Sequence, residues 1–157
     1  MSGNIAIGIQ DFSTIIQGNY FYIDKTPFIK EWWDCGDSAT LITRPRRFGK
    51  TLTMSMVEQF FSIDYAGRSN LFEHLAIWKE EKYRELQGTY PVISLSFARI
   101  KERDYEKTKQ KMCEVLRNIY IKFCYIKDSE KLTDADRAYY ERMLEENIKE
   151  TDATSSL

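Results

Sequence analysis

A chain of 157 residues with 43% hydrophobic and 30% charged residues has enough apolar content for one buried core, which excludes a disordered polymer. A net charge of −1 excludes a general affinity for polyanions. Three cysteines without metal-ligand spacing and a single histidine, His74, leave no material for a zinc centre or a histidine-based triad.

Cys35, Cys113 and Cys124 read as free thiols of a reducing compartment. No apolar run approaches the ~20 residues of a membrane span, and the start Met-Ser-Gly-Asn has neither the charge nor the apolar stretch of a signal peptide. The expected location is the cytoplasm, with no membrane partner.

In chain order, the apolar run Ile5-Ala6-Ile7-Gly8-Ile9 leads to Asp11-Phe12 and a short helical stretch with Ile15 and Ile16. Gly18-Asn19 signals a turn, and the aromatic and β-branched run Tyr20 to Ile23 predicts a short strand. Asp24 ends that run as a magnesium-holding aspartate would, but it precedes the basic loop and is followed by Lys25, so a structural turn is the better reading. Thr26-Pro27 predicts an N-cap with proline at the first helical position. That helix carries Phe28, Ile29, Trp32 and Trp33 and stops near Gly36.

Residues 39 to 43, Ala-Thr-Leu-Ile-Thr, predict the next strand, and Leu52, Met56, Val57, Phe60 and Phe61 have the spacing of a helix. Between them lies Arg44-Pro45-Arg46-Arg47-Phe48-Gly49-Lys50-Thr51. Strand, loop, Gly-Lys-Thr and helix together form the context of a phosphate-binding loop. A triphosphate is held by backbone N–H groups at a helix start, where the helix dipole favours an anion. Gly49 lets the main chain approach a phosphate, Lys50 is a flexible point charge for the β- and γ-phosphates, and Thr51 offers a hydroxyl to magnesium. The usual loop has a first glycine where Arg44 stands. Arg44, Arg46 and Arg47 instead supply bidentate phosphate partners, and Pro45 stiffens the loop. The competing reading is a basic turn ahead of an ordinary helix.

Beyond that helix a connector through Gly67 leads to Leu71-Phe72 and a helical segment with Leu75, Ile77 and Trp78, broken at Gly88. Pro91 to Phe97 is the clearest predicted strand, with Ile93, Leu95 and Phe97 on one face and Ser94 and Ser96 on the other. The helices between this run and residues 39–43 suggest a crossover and parallel pairing. Residues 101–127 and 133–149 predict two amphipathic helices. The first has the stripe Tyr105, Met112, Leu116, Ile119 and Phe123. The second has Tyr140, Met143, Leu144 and Ile148, and Thr133 with Asp136 forms its capping box. Residues 151–157 read as a polar, frayed tail after one domain over 1–150.

Ile7-Gly8 with Asp11-Phe12, then Tyr22 to Thr26, Arg44 to Thr51, Leu71-Phe72 and Tyr90 to Phe97 resemble, in this order, the bacterial AAA-ATPase-like family. In that family Arg44 is the expected residue. The resemblance implies an α/β fold: part of a P-loop NTPase domain, with a short, mainly parallel sheet flanked by helices and a helical C-terminal portion. It also implies ATP with magnesium as ligands, held by Lys50 and Thr51. Family members often continue into an acidic strand with adjacent Asp and Glu, and then a restriction-endonuclease-like domain; neither is found here.

The expectation is therefore an ATP-binding module that grips triphosphate and magnesium through Arg44, Arg46, Arg47, Phe48, Gly49, Lys50 and Thr51, with Thr51 on the metal. Hydrolysis is not expected from this chain alone, because no apolar strand ends in Asp-Glu. A second polypeptide or self-association is expected to complete the sheet. The alternatives are a nucleic-acid or phospho-partner binding domain, or an inactive remnant.

Overall fold

Helices, short 3-10 turns and extended connections make up all of the architecture among the described residues, and the expected parallel sheet is absent there. The computed structural model describes residues 4, 5, 7–98, 100–145, 148 and 153. The chain divides into two compact units, Met1–Val92 and Ile93–Leu157.

In the first unit, α1 (Phe12–Gln17) begins at Asp11, whose carboxylate accepts from the Thr14 backbone N–H at 2.7 Å. The same carboxylate accepts from Gln59 Nε2 at 2.6 Å, and the Phe12 N–H donates to Ser55 Oγ at 3.1 Å. The cap of one helix is thus also a tether to another, α3 (Lys50–Phe61). Burial pushes the Asp11 carboxyl up, but hydrogen bonds from Ser13, Thr14 and Gln59 outweigh it and hold the group below its ordinary value.

The helix α2 (Pro27–Cys35) stops where expected, at Gly36 in the left-handed conformation. The core joins Phe12, Ile29, Met56, Phe60, Phe61, Leu71, Phe72, Ile77 and Tyr83. Phe72 is its hub: its ring stacks on Phe12 at 5.1 Å and meets Phe60 edge-on at 5.1 Å. Leu71 and Phe72 lie at the end of a 3-10 turn (Ser69–Leu71), and another 3-10 turn (Ala76–Lys79) precedes the short α4 (Glu81–Arg84). Gly88 is fixed by contact as well as by its φ of +69°, since a Cβ there would lie 2.6 Å from the Ala66 Cα.

The three strand predictions fail for one physical reason. A strand persists through ladder bonds to a neighbour, and none of these segments has one among the described residues. Residues 20–23 are extended, with Phe21 N–H donating to Asn4 O at 3.0 Å and Tyr22 turned into the core. In residues 39–43, Leu41 is 86% exposed. The alternation from Pro91 to Phe97 is real as a pattern, but Ile93 is 64% and Phe97 45% exposed. Parallel pairing shrinks to an isolated bridge between Ser62 and Tyr90, where the C-terminal end of α3 meets the residue before Pro91. It does not join residues 39–43 to 91–97.

Thr26 departs from expectation in a smaller way. Its backbone is already helical and its hydroxyl makes no cap bond to α2. The hydroxyl instead donates to Asp24 Oδ1 at 2.7 Å and accepts from the Ile77 N–H at 3.1 Å.

The second unit is built on α5 (Tyr105–Lys122) and α6 (Asp134–Leu144). The first is shorter than residues 101–127, because Asp104 caps it by accepting from the Lys107 N–H at 3.0 Å. It passes at Phe123 into a 3-10 turn (Cys124–Asp128). From the predicted stripe, Leu116 and Phe123 are buried, whereas Tyr105 is 71% exposed. The capping box of Thr133 and Asp136 forms as expected, but α6 ends at Leu144, earlier than 149. The Tyr140 hydroxyl faces the carbonyl oxygens of Tyr120 and Phe123 at 2.8 and 2.7 Å, and burial pushes its pKa up to about 12. The predicted tail lies outside the described residues apart from Ala153, which packs with Leu116 and Met143.

Candidate functional site

The basic loop ends where α3 begins, and its backbone is set for that role. Arg47 (φ 70°) and Gly49 (φ 73°) are both left-handed, and Gly49 is the N-cap of α3 with no side-chain cap bond. The first N–H groups of this 12-residue helix therefore lack an intrahelical or capping partner and carry the positive end of its dipole. Two contacts brace the turn from within the helix: the Thr53 N–H and hydroxyl both donate to Gly49 O, at 2.9 and 3.0 Å.

Lys50, the first residue of α3, bends its ammonium back over the loop and donates to Arg44 O at 2.5 Å. A second ammonium arrives from outside the loop. Lys25 Nζ donates to Phe48 O at 3.3 Å, and a Cβ on residue 49 would lie 2.8 Å from that nitrogen. Gly49 is favoured by its left-handed φ, and the Lys25 ammonium would have to shift to admit a Cβ there.

A cavity of about 450 Å³ opens at this place, within the range of small-molecule sites. Its basic wall is Lys25, Arg44 and Lys50, and its apolar wall includes Phe28, Ile42 and Phe48. Thr53, Asp24 and Glu31 complete the polar lining. From the predicted site residues, the structure brings together Arg44, Phe48 and Lys50 on the cavity. Arg46, Arg47, Gly49 and Thr51 are not part of its lining. Arg46, Arg47 and Thr51 are exposed on the loop and the first turn of α3.

Asp24 is a structural turn residue, as the sequence suggested. Its Oδ1 accepts from the Thr26 N–H and hydroxyl, and its Oδ2 accepts from the Ala76 N–H at 2.7 Å. Both oxygens thus hold the turn ahead of α2. Among the described residues no group of three or more His, Cys, Asp or Glu could hold a metal.

Sequence reasoning missed Lys25, Phe28, Glu31 and Thr53 as parts of this cavity. Phe28 and Glu31 carried a signal, since positions three apart share one face of the helix starting at Pro27. Lys25 had no such signal, because its neighbour Phe48 is distant in sequence.

Comparison with known proteins names this class of chain. The family model described as Predicted AAA-ATPase matches residues 6–156, and the chain belongs to that family. It is similar to an uncharacterized protein encoded in the vnfD 5′ region of Azotobacter chroococcum mcd 1, with 33% identity over 113 residues. The match covers 71% of this chain and 20% of that relative, so this chain spans a minor part of the relative's length. No solved structure matches. Among the described residues no helix is long and apolar enough to cross a membrane.

Proposed function

We propose that this chain is an ATP-binding module that holds the triphosphate and its magnesium ion at the head of α3. The observation that carries the reading is the start of that helix: uncapped, preceded by left-handed Arg47 and Gly49, and carrying Lys50 at its first position. Membership of the predicted AAA-ATPase family supports the same reading. Backbone N–H groups of Lys50 and Thr51 donate to phosphate oxygens, Lys50 exchanges the Arg44 carbonyl for phosphate, and the Thr51 hydroxyl takes a position on magnesium. Arg44, Arg46 and Arg47 add guanidinium donors around the phosphates, and Phe48 borders the cavity.

Turnover by this chain alone is not part of the proposal. Hydrolysis needs a carboxylate on magnesium and a group that orients the attacking water.

Calorimetric titration of the full chain with ATP and magnesium, beside Lys50→Ala, tests the reading. Saturable binding by the wild type and its loss in Lys50→Ala is the expected result. No binding by the wild type overturns it. Oligonucleotide binding that falls steeply with salt and that ATP does not compete away would assign the exposed arginines to nucleic acid instead.

A further inference from the structure

We propose that Lys25 is a second phosphate-contacting cation of this site, delivered to the loop from the turn ahead of α2; the inference rests on the nucleotide reading above. The turn is anchored from several sides. Lys25 N–H donates to the Tyr22 hydroxyl at 3.3 Å, and Phe28 N–H donates to Lys25 O at 3.0 Å. Asp24 and Thr26, on either side of Lys25, bond the N–H groups of Ala76 and Ile77 at 2.7 and 3.1 Å. Residues flanking Lys25 are thus fixed to a distant part of the same unit, and the lysine backbone has little freedom left.

The side chain it presents reaches the loop at its solvent-open edge. Its ammonium donates to a neutral carbonyl, Phe48 O, at 3.3 Å. Lys25 is half-buried and forms no ion pair among the described residues. The adjacent carboxylate, Asp24, is turned to the Thr26 and Ala76 N–H groups instead. A charge held beside Gly49, on the same cavity as Lys50 and Arg44, suits an anion lying against the loop main chain. The ligand class is a polyphosphate, with Lys25 and Lys50 reaching it from different segments of the chain.

The test uses the full chain, with MgATP and inorganic tripolyphosphate as probes. Lys25→Gln keeps a donor for Phe48 O but removes the charge; Lys25→Arg keeps the charge. The Gln variant is expected to lose about tenfold or more in affinity for both probes, and the Arg variant to keep most of it. Wild-type affinity in Lys25→Gln, with loss in Lys50→Ala, overturns the inference and leaves the nucleotide site standing. Equal losses in the Gln and Arg variants also overturn it, since they assign the effect to packing. No binding by the wild type removes the nucleotide reading and this inference with it. A second measurement needs no variant: tripolyphosphate should suppress acetylation of Lys25 in the wild-type protein, read by peptide mass spectrometry. Unchanged Lys25 reactivity at a saturating probe concentration would count decisively against the contact.

Discussion

The two units solve the same problem, burying the apolar faces of short helices, in different ways. Residues 1–92 do it with an aromatic network in which Phe12, Phe60, Phe61 and Phe72 touch one another and draw in Tyr22, Trp32 and Trp33. Among the described residues from 93 onward the buried cluster is Leu116, Met143 and Ala153, and side chains also reach backbone carbonyls. Arg137 reaches Lys127 O and Ser129 O, both at 2.8 Å, Arg117 reaches Leu144 O at 3.0 Å, and Tyr140 faces two carbonyls. The loop grows out of the first kind of structure. The aromatic core fixes α3 through Met56, Phe60 and Phe61, and with it the helix start that carries Lys50.

The largest expected effect breaks this contrast at its hub. Phe72→Ala should cost about 3–5 kcal/mol, because the ring is fully buried between Phe12 and Phe60. The tryptophans, Trp32, Trp33 and Trp78, all lie in the first unit, so their fluorescence during urea unfolding reads the loss directly. A shift below about 1 kcal/mol would mean the network closes over the gap.

In the second unit, Tyr140→Phe leaves the carbonyls of Tyr120 and Phe123 without their shared donor. The expected cost is about 1–2 kcal/mol in a denaturation followed by far-UV circular dichroism. An unchanged midpoint would mean that packing, not the hydroxyl, holds α6.

The smallest effect sharpens the comparison at Asp11, where a polar group serves the aromatic unit. Its folded pKa lies below its unfolded value, so its stabilising contribution is complete above the unfolded value of 3.8 and is lost as pH falls through the folded value. The melting temperature of the wild type should exceed that of Asp11→Asn at pH 6, and the two should converge in the most acidic buffers. Parallel curves would show that the charge of Asp11 contributes nothing beyond its role as a cap.

Much of this architecture was legible because local chemistry decides it. Asp11 before Phe12, Gly36 after α2, the Thr133–Asp136 box and the spacing from Met56 to Phe61 all specify their surroundings within a turn or two of chain. The strands were misread because alternation and β-branching describe how a segment would sit in a sheet, whereas a ladder depends on a neighbour that no local pattern encodes. For the site, Gly-Lys-Thr marked the loop, but Lys25 became visible only once Asp24 and Thr26 were seen to fasten their turn to residues 76 and 77. That long-range closure has no periodic signature.

The bonds from Lys50 to Arg44 O and from Lys25 to Phe48 O have a consequence for selectivity. The loop carries its own internal competitors, so an incoming anion gains only the difference between an ammonium–anion bond and an ammonium–carbonyl bond. A weakly basic monoanion such as chloride gains little in that exchange. A species of high charge density, with oxygens spaced to replace both carbonyls at once, gains twice. On the nucleotide reading proposed above, the loop would set an entry threshold that favours a polyphosphate over ordinary salt anions.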